Sequence, residues 1–165
     1  MKRRYGELLR QHFSDDRQMA FVSGLRQVGK TTTASAFTSG IIYLNWDNDD
    51  DRLAILDGPA AVNSRIGLTP AGTIIFDELH KYPHWKNFLK GFYDSYGNKK
   101  LNVVVTGSAR LDVYRKGADS LMGRYFSYRM HPLSVGEIAS PGLPPQEISL
   151  PSEITDKDFA GLLRF

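Results

Sequence analysis

The sequence contains no cysteine, which excludes disulfides, thiolate metal sites and cysteine catalysis. That absence suits a cytoplasmic protein. No stretch approaches the roughly 18 to 20 consecutive apolar residues that a spanning helix needs, so no membrane partner is expected. The basic start Met1 to Arg4 is not followed by a long apolar run, and no secretory signal is read there. Histidine is sparse: His12, His80, His84 and His131 show no spacing that would ligate zinc. There is no internal repeat and no low-complexity tract. Excess charge of one sign is also slight, at +3 with a pI near 9.1. Without a clustered basic face, this does not argue for DNA or RNA.

What is present suits one compact domain. The chain has 165 residues, 41% hydrophobic and 24% charged, enough for a packed core and too short for two ordinary domains. Tyr5, Leu8, Leu9, His12 and Phe13 recur at helical spacing, and Ser14, Asp15 and Asp16 break the helix they predict. Met19 to Ser23 reads as a buried strand, Lys30 to Thr38 as a helix closed by Gly40, and Ile41 to Trp46 as a second strand. Thr73 to Phe76 is a third strand. Pro83 opens a helix with an apolar stripe of Trp85, Phe88, Leu89, Phe92, Tyr93 and Tyr96, stopped by Gly97 and Asn98. Leu101 to Thr106 and Tyr125 to Met130 complete the strands, and Ser134 to Ala139 is a short helix.

Nearly continuous apolar strands alternating with helices predict an α/β fold, a mainly parallel sheet covered on both faces. Residues 1–139 form this domain. Residues 140–165 read as a Pro/Gly/Ser-rich linker and the start of a further helix at Thr155 to Asp158, with Phe159, Leu162 and Leu163 as its apolar side. The chain stops soon after that start, so it is expected to be the N-terminal piece of a longer protein.

Gly24-Leu25-Arg26-Gln27-Val28-Gly29-Lys30-Thr31 satisfies G-x-x-x-x-G-K-[ST], the Walker A pattern, at every fixed position, between a strand and a helix. Glycine lets the backbone wrap a phosphate, and successive N–H groups with a helix N-terminus form an anion nest. Lys30 brings a positive charge to the β- and γ-phosphates, and the Thr31 hydroxyl is placed for Mg²⁺. Thr32 completes the segment. Arg26 either touches phosphate or is a solvated loop side chain.

Thr73-Ile74-Ile75-Phe76-Asp77-Glu78 is an apolar strand delivering two adjacent acids, the Walker B pattern. In P-loop proteins such a strand lies beside the one feeding the phosphate loop. Asp77 is expected to hold Mg²⁺, directly or through its water, and Glu78 to orient or deprotonate the attacking water. Alone, such a pair would more often cap the next helix; beside an intact phosphate loop the metal and water roles are the expected ones. The acidic run Asp47 to Asp51 reads as a solvated turn and helix cap rather than a cation site. Val103-Val104-Val105-Thr106-Gly107-Ser108 ends in small polar residues where ligands sit in a doubly wound sheet. Thr106 or Ser108 is therefore a γ-phosphate sensor, or else a strand-end turn or N-cap. Among Arg110, Arg115, Arg124 and Arg129, Arg124 is the preferred arginine finger, in its own chain or toward a neighbour's nucleotide. A surface salt bridge is the alternative.

These segments, with Tyr43-Leu44-Asn45, Phe76-Asp77-Glu78-Leu79-His80-Lys81, Leu121-Met122-Gly123-Arg124-Tyr125, Pro132-Leu133-Ser134 and Glu137, resemble the prokaryotic AAA-14 family over roughly residues 17–140. The resemblance implies a three-layer, AAA-like P-loop fold. Its strand order is 5-1-4-3-2 when strands are numbered along the chain, with the Thr106 strand inserted beside the phosphate loop. It implies ATP and Mg²⁺ as ligands, and roles by position: Lys30 and Thr31 on phosphate and Mg²⁺, Asp77 on Mg²⁺, Glu78 on water, Thr106 or Ser108 as sensor, Arg124 as finger. The family is usually longer, so its C-terminal domain is missing here and is an expected partner. A homo-oligomer stays open as an alternative, and nucleic acid is an alternative without support from any basic stripe.

The expectation is an ATPase that drives a conformational change. The alternative is a nucleotide-gated switch with negligible turnover. A small-molecule kinase is disfavoured because no second substrate pocket is read. GTP is disfavoured because no Asn-Lys-x-Asp segment is present.

Overall fold

The computed structural model describes residues 3–67, 72–97, 101–108 and 121–139. Arg110, Arg115, the linker after residue 139 and the helix expected near residue 155 lie outside them. The elements, in chain order, are α1 (Arg4–Asp15), β1 (Met19–Gly24), α2 (Lys30–Ala36), β2 (Ile41–Asn45), α3 (Asp49–Leu56) and α4 (Pro59–Gly67). There follow β3 (Thr73–Asp77), a 3-10 turn (Leu79–Lys81), α5 (Trp85–Phe92), a π-helical turn (Tyr93–Gly97), β4 (Asn102–Gly107), β5 (Tyr125–Met130) and α6 (Val135–Ala139).

The strands form one sheet in the order β2-β3-β4-β1-β5, every pairing parallel. This is the 5-1-4-3-2 order read from the opposite edge. The third strand is therefore not the neighbour of the first, as the generic P-loop reading had it: β4 lies between them, with Ile75 beside Val104 and Val104 beside Ala20. The buried runs Met19-Ala20-Phe21-Val22, Ile74-Ile75-Phe76 and Val103-Val104-Val105 have no polar face because both sides of the sheet are covered. Alternate residues serve two cores. Ala20, Val22, Ile75, Val104 and Met130 pack with Leu9, Ala34 and Phe37 of the α1–α2 side. Phe21, Ile74, Phe76, Val103 and Val105 pack with Ile55, Val62, Phe88, Leu89 and Phe92 on the side of α3, α4 and α5.

The acidic run is the helix cap that its composition suggested. Asn48 accepts a hydrogen bond from the Asp51 amide at 3.1 Å, and Asp49 to Asp51 form the first turn of α3, where carboxylates favour the helix dipole. Asp47 pairs with Lys81 and Asp51 with Arg65. Among the described residues, no cluster of three histidine or acidic side chains could hold a metal by itself, and no helix is long and apolar enough to cross a membrane. Trp46 follows β2, donates its amide to the Asp77 carbonyl at 3.0 Å, and stacks on Tyr82 with ring centroids 4.9 Å apart.

Candidate functional site

The carboxyl ends of β1, β3 and β4 converge where β1 turns into α2. The turn is tight for a steric reason. A Cβ at Gly24 would stand 2.3 Å from the Met130 carbonyl oxygen of β5, so only glycine lets these strand ends close on one another. Gly29 has φ +86 and Gln27 φ +63, both left-handed. Such alternation turns consecutive peptide groups and opens an anion-binding concavity. Leu25, Arg26 and Gln27 are exposed on the loop, Val28 is buried beneath it, and Thr32 faces solvent.

Lys30 is only 7% exposed. Its Nζ donates to the carbonyls of Gly24 at 3.1 Å and Leu25 at 2.7 Å. Among the described residues no carboxylate pairs with it. A buried ammonium without a counter-ion is costly, and an anion in the loop would remove that cost.

Asp77, at the end of β3, is clad in hydroxyls. Its Oδ2 accepts from Thr31 Oγ1 and from the Tyr43 hydroxyl, each at 2.7 Å, and its Oδ1 accepts a short hydrogen bond from Thr106. Burial pushes this carboxyl's pKa up. The hydrogen bonds from Thr106, Tyr43 and Thr31, and from the Glu78 amide, outweigh burial and hold it below the ordinary carboxylate value. Tyr43 moves the other way: partial burial and the adjacent Asp77 charge push its hydroxyl above its ordinary range. Ile75 and Asp77 share the α2-facing side of β3, which is why Thr31 can meet Asp77.

Glu78 takes a left-handed conformation at φ +55, donates its amide to the Thr106 carbonyl at 3.0 Å, and so leaves the strand direction. Its carboxylate lies 3.6 Å from Lys81 Nζ and 3.7 Å from His80 Nε2. The same His80 nitrogen is 3.0 Å from Ser108 Oγ.

The donor set fits Mg²⁺. Magnesium prefers oxygen ligands, keeps several waters, and takes one or two protein groups plus substrate phosphates rather than a protein cage. The Thr31 hydroxyl and the Asp77 carboxylate already meet at 2.7 Å beside the phosphate loop.

The structure thus brings together residues 24–32, Asp77 and Thr106, with Glu78 and Ser108 at their edge. It does not bring Arg124 there. Arg124 precedes β5 and its carbonyl accepts from the Met19 amide, at the amino end of the sheet. The phosphate loop is at the other end of β1, roughly 17 Å away at ~3.3 Å per residue. Its guanidinium makes a two-point ion pair with Asp94, Nε to Oδ1 at 2.7 Å and Nη2 to Oδ2 at 3.1 Å. The finger acting within its own chain is therefore corrected: Arg124 occupies the salt bridge that was the alternative.

Three further residues bear on the site without having been given a role from sequence, although Tyr43 and Glu137 stand in segments that carry the family resemblance. Tyr43 is diagonal to Asp77 across β2 and β3, where Asn45 is the direct partner, a spacing a long side chain can cross. Arg3 and Glu137 are the others. Arg3 Nη1 donates to the Val28 carbonyl in the loop at 2.7 Å, and Glu137 holds Arg3. A register-dependent diagonal and a contact across the whole chain leave no periodic signal in sequence.

Residues 16–139 match the model of the AAA-14 family, described as an AAA domain. No curated protein matches the sequence. Among solved structures, the fold is similar to the Orc1 protein of Aeropyrum pernix in its complex with DNA. The identity is 15% and the TM-score 0.56, over 82% of this chain and 45% of that one. At that identity the likeness concerns the fold alone, and the chain spans less than half of the Orc1 protein's length.

Proposed function

Since the chain belongs to the AAA-14 family of AAA domains, we propose that it binds ATP with Mg²⁺ and hydrolyses it to ADP and phosphate, driving a conformational change. The observation that carries the reading is Lys30: a buried ammonium at a glycine turn, held among the described residues by loop carbonyls at 2.7 and 3.1 Å and by no carboxylate. A third ammonium proton is left to donate to a phosphate oxygen. Bound Mg²⁺ supplies charge neutralisation of the phosphates. Thr31 and Asp77 would hold it, and the depressed Asp77 pKa keeps that carboxylate ionised.

Glu78 orients water and accepts its proton, which requires the carboxylate to turn from Lys81 and His80 toward the loop. Thr106 is fully buried and committed to Asp77, so its role is to position the metal carboxylate. Ser108, partly exposed at the end of β4, keeps the sensor role. The pairing of Glu78 with Lys81 favours a second reading, a switch that binds nucleotide with negligible turnover until that pairing is broken.

Steady-state phosphate release separates the two readings. Wild type should turn over at a rate that Glu78→Gln lowers by at least tenfold while ATP affinity is kept. Equal rates would remove Glu78 as the base. Tight ATP binding with no release at any protein concentration would establish the switch. Lys30→Ala, still folded, should lose ATP affinity. Unchanged affinity would overturn the whole reading.

A further inference from the structure

We propose that Arg3, locked by Glu137, is a positioning residue that fixes one peptide group of the phosphate loop in its anion-binding orientation. The inference rests on the ATP-binding reading above. Arg3 precedes the residues matched by the family, 16–139.

The guanidinium is 11% exposed and Glu137 6%. Nε meets Oε1 at 3.0 Å and Nη2 meets Oε2 at 3.3 Å. The outer nitrogens then reach two main-chain carbonyls, Nη1 to Val28 and Nη2 to His131, each at 2.7 Å. One side chain therefore ties the phosphate loop to the chain just beyond β5.

The Val28 carbonyl and the Gly29 N–H belong to the same planar trans peptide, so they point in opposite directions. Holding the carbonyl at Arg3 aims the N–H away from Arg3. This peptide needs a holder. Gly29 has φ +86 and no Cβ, and a glycine-flanked peptide can turn over at little steric cost. If it turned, a carbonyl dipole would replace a donor in the nest, and phosphate would meet negative rather than positive charge.

Glu137 is fixed in turn. With Ser134 it forms a capping box: the Ser134 amide donates to Oε2 at 3.2 Å, and the Glu137 amide donates to Ser134 Oγ at 3.2 Å. The Arg4 amide donates to Oε1 at 3.2 Å. Burial pushes the Glu137 carboxyl up, but Arg3 and the amides of Ser134 and Arg4 hold it below its ordinary value. The charge on Arg3 is thereby compensated locally, and it anchors a carbonyl without competing with Lys30 for phosphate.

The test compares Arg3→Met, Arg3→Lys, Glu137→Gln and the Arg3→Met/Glu137→Gln double variant with Arg10→Ala. Arg10 anchors α1 to Phe37 and does not touch the loop. Two readouts are followed: affinity for a fluorescent ATP analogue with Mg²⁺, and the Gly29 amide chemical shift and hydrogen exchange without nucleotide.

In folded Arg3→Met, affinity should fall about tenfold, the scale of one charge-assisted hydrogen bond. Arg3→Lys, which keeps one donor, should lose less, and it serves if the methionine variant does not fold. The Gly29 amide should shift in the Arg3 variants and stay put in Arg10→Ala. The double variant should be no worse than Arg3→Met, because the pair acts as a unit. An unmoved Gly29 amide, or an Arg10→Ala loss equal to that of Arg3→Met, overturns the inference. Should wild type itself fail to bind ATP, the proposed function falls, while the Gly29 amide still decides the positioning role.

Discussion

Asp77 carries the densest chemistry of any single side chain in the site. Buried carboxylates usually hold their protons. This one is kept ionised by three hydroxyl donors and a backbone amide. In Thr106→Val, Oδ1 should lose its buried partner and the folded state should lose about 1 to 3 kcal/mol, read by urea unfolding. In Tyr43→Phe, the Asp77 carboxyl should titrate closer to its ordinary 3.8, followed by carbon NMR of the side chain. A titration that stays put would show that Tyr43 does not act on the carboxylate. Lys30, Thr31, Asp77 and Thr106 were readable in sequence because each stands at a fixed offset from a strand end. Tyr43 was not, since its contact depends on how β2 registers against β3. The distance of Arg124 from its own chain's phosphate loop is not legible in sequence, because a position just before a strand has first to be converted into an end of the sheet. In an all-parallel sheet, strand starts lie opposite the phosphate loop.

At the scale of elements, the strands are the most readable part, because β1 to β4 are short, mainly apolar runs bounded by turn residues and β5 alternates Phe126, Tyr128 and Met130 with the residues between them. Beyond the cap that opens α3, neither the body of that helix nor α4 is legible in sequence, for a physical reason. Only Ala54 and Ile55 of α3 are buried and only Val62 of α4, while Leu53 and Leu56 face solvent, so no apolar stripe marks either helix. The helix expected to run through Tyr96 instead changes at Tyr93 into a π-helical turn. The closure of β1 on β5 makes its own demand. Gly24→Ala would drive a methyl to 2.3 Å from a main-chain oxygen, which cannot move aside as a side chain can. The expected outcome is a loss of at least about 1 to 3 kcal/mol in thermal or urea unfolding, larger than for alanine at the exposed Gly123. Equal losses would mean that the strand ends separate easily.

For the molecule as a whole, ligand and proton linkage offer the broadest checks. ATP with Mg²⁺ at a hundredfold excess over its dissociation constant should stabilise the fold by about 2.7 kcal/mol, and Lys30→Ala should abolish that gain. A rise in melting temperature that survives Lys30→Ala would place the ligand elsewhere. Acid should act through Glu137, whose folded pKa lies below its ordinary 4.5. The unfolded chain then binds the proton more readily than the folded one. The stabilisation is fully present above 4.5 and is lost as pH falls through the lower folded value. Urea midpoints followed from neutral pH downward should show this loss in wild type, and Glu137→Gln should flatten that part of the slope.

The indole of Trp46, stacked on Tyr82, sits one peptide hydrogen bond from Asp77, the carboxylate proposed to hold Mg²⁺, and the sequence holds two tryptophans. Changing Trp85 to phenylalanine would leave Trp46 as the one tryptophan, to be excited selectively over the eight tyrosines. Its emission would then report occupancy in real time, with no dye attached, and stopped-flow traces could separate binding from turnover in a single optical channel.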